Sequence, residues 1–174
     1  ERGALLASRD RTAGGFSLSP ATLEAIEADT RLVLPSPNGA TLSLAAGAIP
    51  TFAGCLRNAA AVAGAAQAAG KRISVIAAGE RWTDGGLRPA IEDLLGAGAI
   101  IANLRGARSP EAELARQAFG GARDGLADIL RQCSSGKELI ERGCARDVEL
   151  AAQLDSSRVA PFFREGAYAP GGTA

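Results

Sequence analysis

The sequence predicts an α/β fold, a three-layer α/β/α sandwich with a largely parallel or mixed sheet. Three observations carry that expectation. Short branched apolar runs at residues 31–34, 49–52 and 73–77 are each followed by a segment with helical spacing. The connections between them are brief, and parallel strands need helical crossovers that cover both faces of a sheet. From residue 110 to 154 the pattern turns to helices only, which suits a layer packed on one flank.

Taken in order, residues 1–19 mix Arg, Gly and Ser without periodicity and read as an exposed loop. Pro20 suits the first turn of a helix running to residue 28. The run 31–34 is stopped by Pro35-Ser36-Pro37-Asn38-Gly39, and Thr41 and Leu42 continue as a short helix. A strand at 49–52 precedes an Ala-rich helix over 56–69 that ends at Gly70. Ile73-Ser74-Val75-Ile76-Ala77 reads as a central strand, 79–88 as a polar loop, and Pro89 opens a helix with Ile91, Leu94, Leu95 and Gly98 on one face. Helices are expected at 111–119, 125–132, 137–142 and 147–154, then an edge strand at 159–163 and a tail over 166–174. The whole of 1–174 is expected to form one domain.

Composition narrows the function classes. The chain has 174 residues, 47% of them hydrophobic, and 19 basic side chains balance 19 acidic ones. No global field draws such a chain to nucleic acid or to anionic lipid. No apolar run approaches the roughly 18 residues that a bilayer span requires, and residues 1–12 lack the pattern of a signal peptide. A cytoplasmic location is expected. Three cysteines, without a CxxC pair or any His, argue against a disulfide framework and a zinc finger. The absence of His also excludes Ser-His-Asp and Cys-His catalysis within these residues. The chain has no Met, so it is expected to begin inside a longer protein.

Ligands of open α/β sheets bind beyond the carboxyl ends of strands, which directs attention to the loops after residues 34, 52 and 77. Asn38-Gly39 presents backbone N–H groups at a helix start, a geometry that favours phosphate, although N-capping alone also accounts for it. Arg57 can hold an oxyanion with two parallel bonds while Asn58 caps the next helix. Glu80, Arg81, Asp84 and Arg88 precede Glu92-Asp93 in the first turns of the following helix, and magnesium needs only one or two such carboxylates. Glu92 and Asp93 lie about 100° apart around a helix, so one of them is expected to face a ligand. Cys55 reads as a small buried hydrophobe rather than a nucleophile.

As ordered strings these motifs resemble the 2-phosphosulfolactate phosphatase (ComB-like) family from Glu1 to about Phe162. Glu1-Arg2-Gly3 is similar to the end of its Gly-Gly-Glu-Arg element, Leu18-Ser19-Pro20 to Asn-Ser-Pro, and Asn38-Gly39 to Thr-Asn-Gly-Thr. Gly54-Cys55-Leu56-Arg57-Asn58-Ala59 is similar to Gly-Ser-Phe-x-Asn-Ala. Ala77-Ala78-Gly79, Glu92-Asp93 and Ala97-Gly98-Ala99 resemble its Cys-Ala-Gly, Glu-Asp and Ala-Gly-Ala series. Ser135-Gly136, Leu139, Gly143, Asp147, Asp155 and Val159-x-Pro161 keep the spacing. The family's N-terminal Asp-x-Leu-Arg-Ala-Thr element has no counterpart here, Ser135 stands where the family carries His, and 80–88 differs from its shorter Gly-rich loop.

The resemblance implies a ComB-like fold and a magnesium-dependent phosphatase that converts 2-phospho-3-sulfolactate to sulfolactate and phosphate, a step toward coenzyme M. It implies Glu92 and Asp93 as the catalytic and metal-binding residues, with Arg2, Asn38, Gly39, Arg57, Asn58 and Gly79 around the substrate. No nucleophile or general base is assigned. A phosphatase for another small phosphate ester and a non-catalytic anion-binding domain are the competing readings, and the exposed Ala-rich helices suggest a homodimer.

Overall fold

The computed structural model describes residues 3–171, and its fold is mixed α/β. Leu5–Leu6 (β1) pairs in parallel with Leu32–Val33 (β2). Helix α1, Pro37–Ala45, follows with Pro at its first position, where the missing N–H costs nothing. The Ala-rich helix α2 spans Ala59–Ala69. Glu80–Arg81 (β3) and Leu87–Arg88 (β4) form an antiparallel hairpin immediately before helix α3, Ile91–Asn103. Then come α4 (Pro110–Ala122), α5 (Leu126–Gln132), α6 (Ser134–Glu141) and α7 (Ala145–Ala151). A closing hairpin pairs β5, Phe162–Arg164, with β6, Ala167–Ala169.

Helix α3 is the centre of the packing because its sequence is apolar nearly all round, and such a helix is stable only when surrounded. Leu95, Gly96, Gly98, Ala99, Ile100 and Ile101 are all buried. The core joins Leu95, Ala99 and Ile100 of α3 to Val62 and Ala63 of α2, Phe119 of α4, Leu130 of α5 and Val148 of α7. Burial of a side chain such as Leu95, 2% exposed, contributes about 1.5–3 kcal/mol. Two glycines allow the close approaches. A Cβ on Gly98 would collide with the Ala115 carbonyl of α4 and stand 2.8 Å from Phe119 Cβ. On the other side, a Cβ on Gly54 would lie 2.6 Å from Ile100 Cδ1.

The strands form three two-stranded sheets, one parallel and two antiparallel. Several local expectations are corrected. Residues 73–77 join no ladder among the described residues, although Val75 packs against the core. Their branched side chains met the strand pattern, but ladder pairing needs a neighbour that sequence does not specify. The polar loop 79–88 is the β3–β4 hairpin, whose turn carries Asp84-Gly85-Gly86 with Gly85 at φ +86°. The supposed tail contains β6, because Glu165 (φ +52°) and Gly166 (φ +79°) make the left-handed two-residue turn that a tight hairpin needs. The helix expected over 20–28 is a single 3-10 turn, Pro20–Leu23. In place of a strand at 49–52, Phe52 makes one antiparallel bridge to Phe162.

Gly98→Ala should lower stability by about 1–3 kcal/mol, the usual effect of overpacking. Gly64→Ala, within α2 and with open space around it, should raise it by roughly 0.5–1 kcal/mol. Urea unfolding midpoints of the two variants test the pair.

Candidate active site

The beginnings of α1 and α3 meet at the backbone of Gly79. Asn38, second residue of α1, donates from Nδ2 to the Gly79 carbonyl at 3.1 Å and to Glu80 Oε2 at 3.3 Å. The Gly79 N–H donates to Asp93 Oδ2 at 2.7 Å. One residue, through its carbonyl and its N–H, therefore links Asn38 to Asp93. Gly79 has φ +69°, and a Cβ there would stand 3.2 Å from Leu87 Cδ1, so glycine suits the position on both counts. Gly39, beside Asn38, accepts from Ser43 Oγ through its carbonyl at 2.6 Å. Ser36 makes no side-chain cap to α1, and Asn38, in the first turn, is committed across the fold rather than to its own helix.

The carboxylates gather at the first turn of α3. Burial pushes the Asp93 carboxyl above the ordinary aspartate range; the Gly79 N–H opposes this, and the negative charges of Glu92 and Glu80 push it further up. A half-buried carboxylate with two like-charged neighbours is an electrostatic arrangement that a cation relieves. Glu92 faces the other way, as the helical angle between neighbours requires. It lines a cleft of about 600 Å³ between residues 89–94 and the segment 132–135, with Cys133 Sγ 4.0 Å from its Oε2. Among the described residues no group of three or more His, Cys, Asp and Glu side chains is arranged to hold a metal ion. These residues therefore form no all-protein cage among themselves, and magnesium does not need one, since it keeps several water and phosphate ligands.

Arg57 and Asn58 share no hydrogen bond with this cluster. Asn58, 6% exposed, accepts the Cys55 N–H and donates to the carbonyls of Ala53 and Val159 at 3.1 and 3.0 Å. Its oxygen completes a capping box on the 3-10 turn 56–58, but it makes no side-chain cap to α2, so the capping of the following helix that sequence offered as one alternative is corrected. Arg57 donates from Nη1 to the Leu150 carbonyl at 3.0 Å and to Gln153 Oε1 at 2.5 Å, beside a smaller depression that includes Glu24 and Arg146. Arg2 lies outside the described residues.

Two features escaped the sequence reading. Asp147, 3% exposed, accepts from Ser19 Oγ at 2.5 Å, the Ala21 N–H at 3.1 Å and Arg11 Nη1 at 3.0 Å. It therefore ties the N-terminal segment to α7, and its only sequence signal was its place among the residues that keep the family's spacing. Arg88 pairs with Glu138 Oε1 at 2.5 Å and donates to Ser135 Oγ at 3.0 Å, fastening the β3–β4 hairpin to α6. Cys133 is the N-cap of α6, its sulfur accepting the Gly136 N–H.

The position of Asp93 has a consequence for stability. Its pKa is raised by folding, so it stabilises the fold in its protonated form at low pH, and that contribution is lost as the pH rises through the folded value. Asp93→Asn keeps an acceptor for Gly79 and carries no charge. The variant should unfold at higher urea than the parent at neutral pH, with the gap closing as the pH falls below the ordinary aspartate value. A variant less stable than the parent at neutral pH would contradict this account.

Comparison with known proteins bears on what this arrangement serves. A family model described as 2-phosphosulpholactate phosphatase matches residues 11–166. A curated relative, the 2-phosphosulfolactate phosphatase of Methanothermobacter thermautotrophicus, is 33% identical over 153 residues, which is 88% of this chain. The chain spans 64% of that relative's length. With the match reaching from the N-terminal segment through β5, the chain belongs to the 2-phosphosulpholactate phosphatase family.

Proposed function

We propose that the chain contributes the phosphate-handling site of a phosphatase that hydrolyses 2-phospho-3-sulfolactate to 3-sulfolactate and phosphate. The Asn38–Gly79–Asp93 connection carries this reading: it joins three residues of the family's ordered motifs into one arrangement around a carboxylate whose charge is disfavoured until a cation or proton arrives. The relative's name supports the substrate, and the three anionic groups which that name implies suit a site with cationic help.

Asp93 would hold magnesium, with Glu80 near enough to act on the Asp93 charge, while Glu92, turned into the cleft, would not share that ion. Bound there, magnesium supplies neutralisation of the charge that develops on the phosphoryl oxygens. The chain's own part is positional. Asn38 fixes the Gly79 peptide, the Gly79 N–H aims Asp93, and the half-buried surroundings keep competing water from the carboxylate. In this reading the product sulfolactate lies on the route to coenzyme M. A second reading, the same chemistry on another small phosphate ester, is favoured by the β3–β4 hairpin, which departs from the family's Gly-rich loop and is bonded through Arg88 to Ser135 of the cleft lining.

Phosphate release from racemic 2-phospho-3-sulfolactate, with magnesium and with chelator, tests the proposal. Turnover should require the metal and fall by about 10- to 100-fold in Asn38→Ala, as expected of a residue that orients a ligand. Asp93→Asn should lose roughly 100-fold or more. Turnover unchanged by chelator, or by either substitution, would sink the site assignment. Release from other small phosphate esters but not from phosphosulfolactate would favour the second reading.

A further inference from the structure

We infer that Arg88, buried behind Ser135 of the cleft lining, anchors the non-reacting oxyanion of the substrate, a sulfonate or carboxylate, once the Ser135 hydroxyl moves aside; this rests on the phosphatase reading above. The guanidinium is nearly buried, with 11% of the side chain exposed. Its Nη1 end is neutralised by Glu138 at 2.5 Å. The face of the group lies over the Trp82 ring, 5.6 Å from its centroid. What remains is the edge formed by Nε and Nη2. Nη2 donates to Ser135 Oγ at 3.0 Å, and Nε is buried without a partner among the described residues.

That edge carries two parallel N–H donors spaced for two oxygens of one oxyanion, whereas a serine hydroxyl accepts from only one of them. A buried donor left unpaired carries a desolvation penalty, and such groups in folded proteins call for an explanation. Ser135 lines the cleft together with Glu92. An oxyanion entering there, with the Ser135 hydroxyl rotated aside, satisfies both donors. Glu138 is 44% exposed, so its charge stays solvated when the second anion arrives. The carboxylates at the start of α3 attract a metal rather than a bare anion. The phosphoryl group therefore belongs with Asp93, and the other end of the substrate with Arg88.

Trp82 is the single tryptophan of the chain and lies against the guanidinium, so its fluorescence reports occupancy without any turnover. The full chain is titrated at constant ionic strength with 3-sulfolactate, isethionate and lactate. A saturable response to at least one of them is expected, weakened roughly 10-fold or more in Arg88→Lys, which keeps the charge but lacks the two-donor edge. Ser135→Asp should block binding to a similar extent by placing its own carboxylate on that edge while keeping Arg88 paired. This second variant decides the matter if the first fails to fold by circular dichroism. A response to isethionate alone assigns the sulfonate, and one to lactate alone the carboxylate. In turnover, Arg88→Lys should raise KM for phosphosulfolactate by a larger factor than KM for phenyl phosphate. The inference is overturned if the parent chain gives no saturable response, or if both variants bind as well as the parent. Binding without turnover would instead count against the phosphatase reading alone.

Discussion

The close approach of α3 to α4 at Gly98 is the constraint on which the other contacts rest. With no side chain at that position, the Ala115 carbonyl and Phe119 reach the α3 backbone. On its other side α3 receives the loop through Gly54 and, with it, Leu56 and the start of α2. Packing from both sides leaves α3 with one axial position and one rotation, since interiors at crystal-like density do not slide continuously. The rotation of α3 then decides that Asp93 faces Gly79 and that Glu92 faces the cleft.

A cost accompanies that precision. The first turn of α3 brings two adjacent carboxylates toward Glu80, and burial of Asp93 works against its ionisation. Residual strain of this kind is common where stability and function pull against each other. The Gly79 N–H offsets part of it, and Asn38 holds the same residue from its carbonyl side. Gly79 is thus fixed on both sides, its carbonyl by Asn38, 41 residues before it, and its N–H by Asp93, 14 residues after it.

The β3–β4 hairpin joins two parts of the fold. Its first strand carries Glu80 to Asn38, and its second carries Arg88 to α6. Where the family pattern has His, Ser135 receives the Arg88 guanidinium, so two departures from the pattern meet in one contact. The closing hairpin serves the fold instead, with the Phe162 ring tilted against Phe52 at 5.2 Å and Tyr168 bonded to Ser43 of α1.

By itself the sequence determined the α/β class, the helices and the neighbourhood of the site. Those properties are local: Pro at the first position of α1 and α4, Ala-rich or amphipathic stretches, and carboxylates just inside the start of α3. Asn38, Gly79 and Asp93 were all legible as site candidates, because each sits at a helix start or a turn where backbone donors and charges collect. Their union through the backbone of Gly79 was not, since it depends on how α1 and α3 are docked. Tertiary structure alone decided that Asn58 is held by backbone, that Arg57 turns toward α7, and that Asp147 gathers the N-terminal segment. It also decided that 73–77 stands outside any ladder among the described residues while 80–88 pairs with itself. Strand pairing and the burial of a polar side chain are set by neighbours distant in the chain, and periodicity carries no record of which neighbours those are.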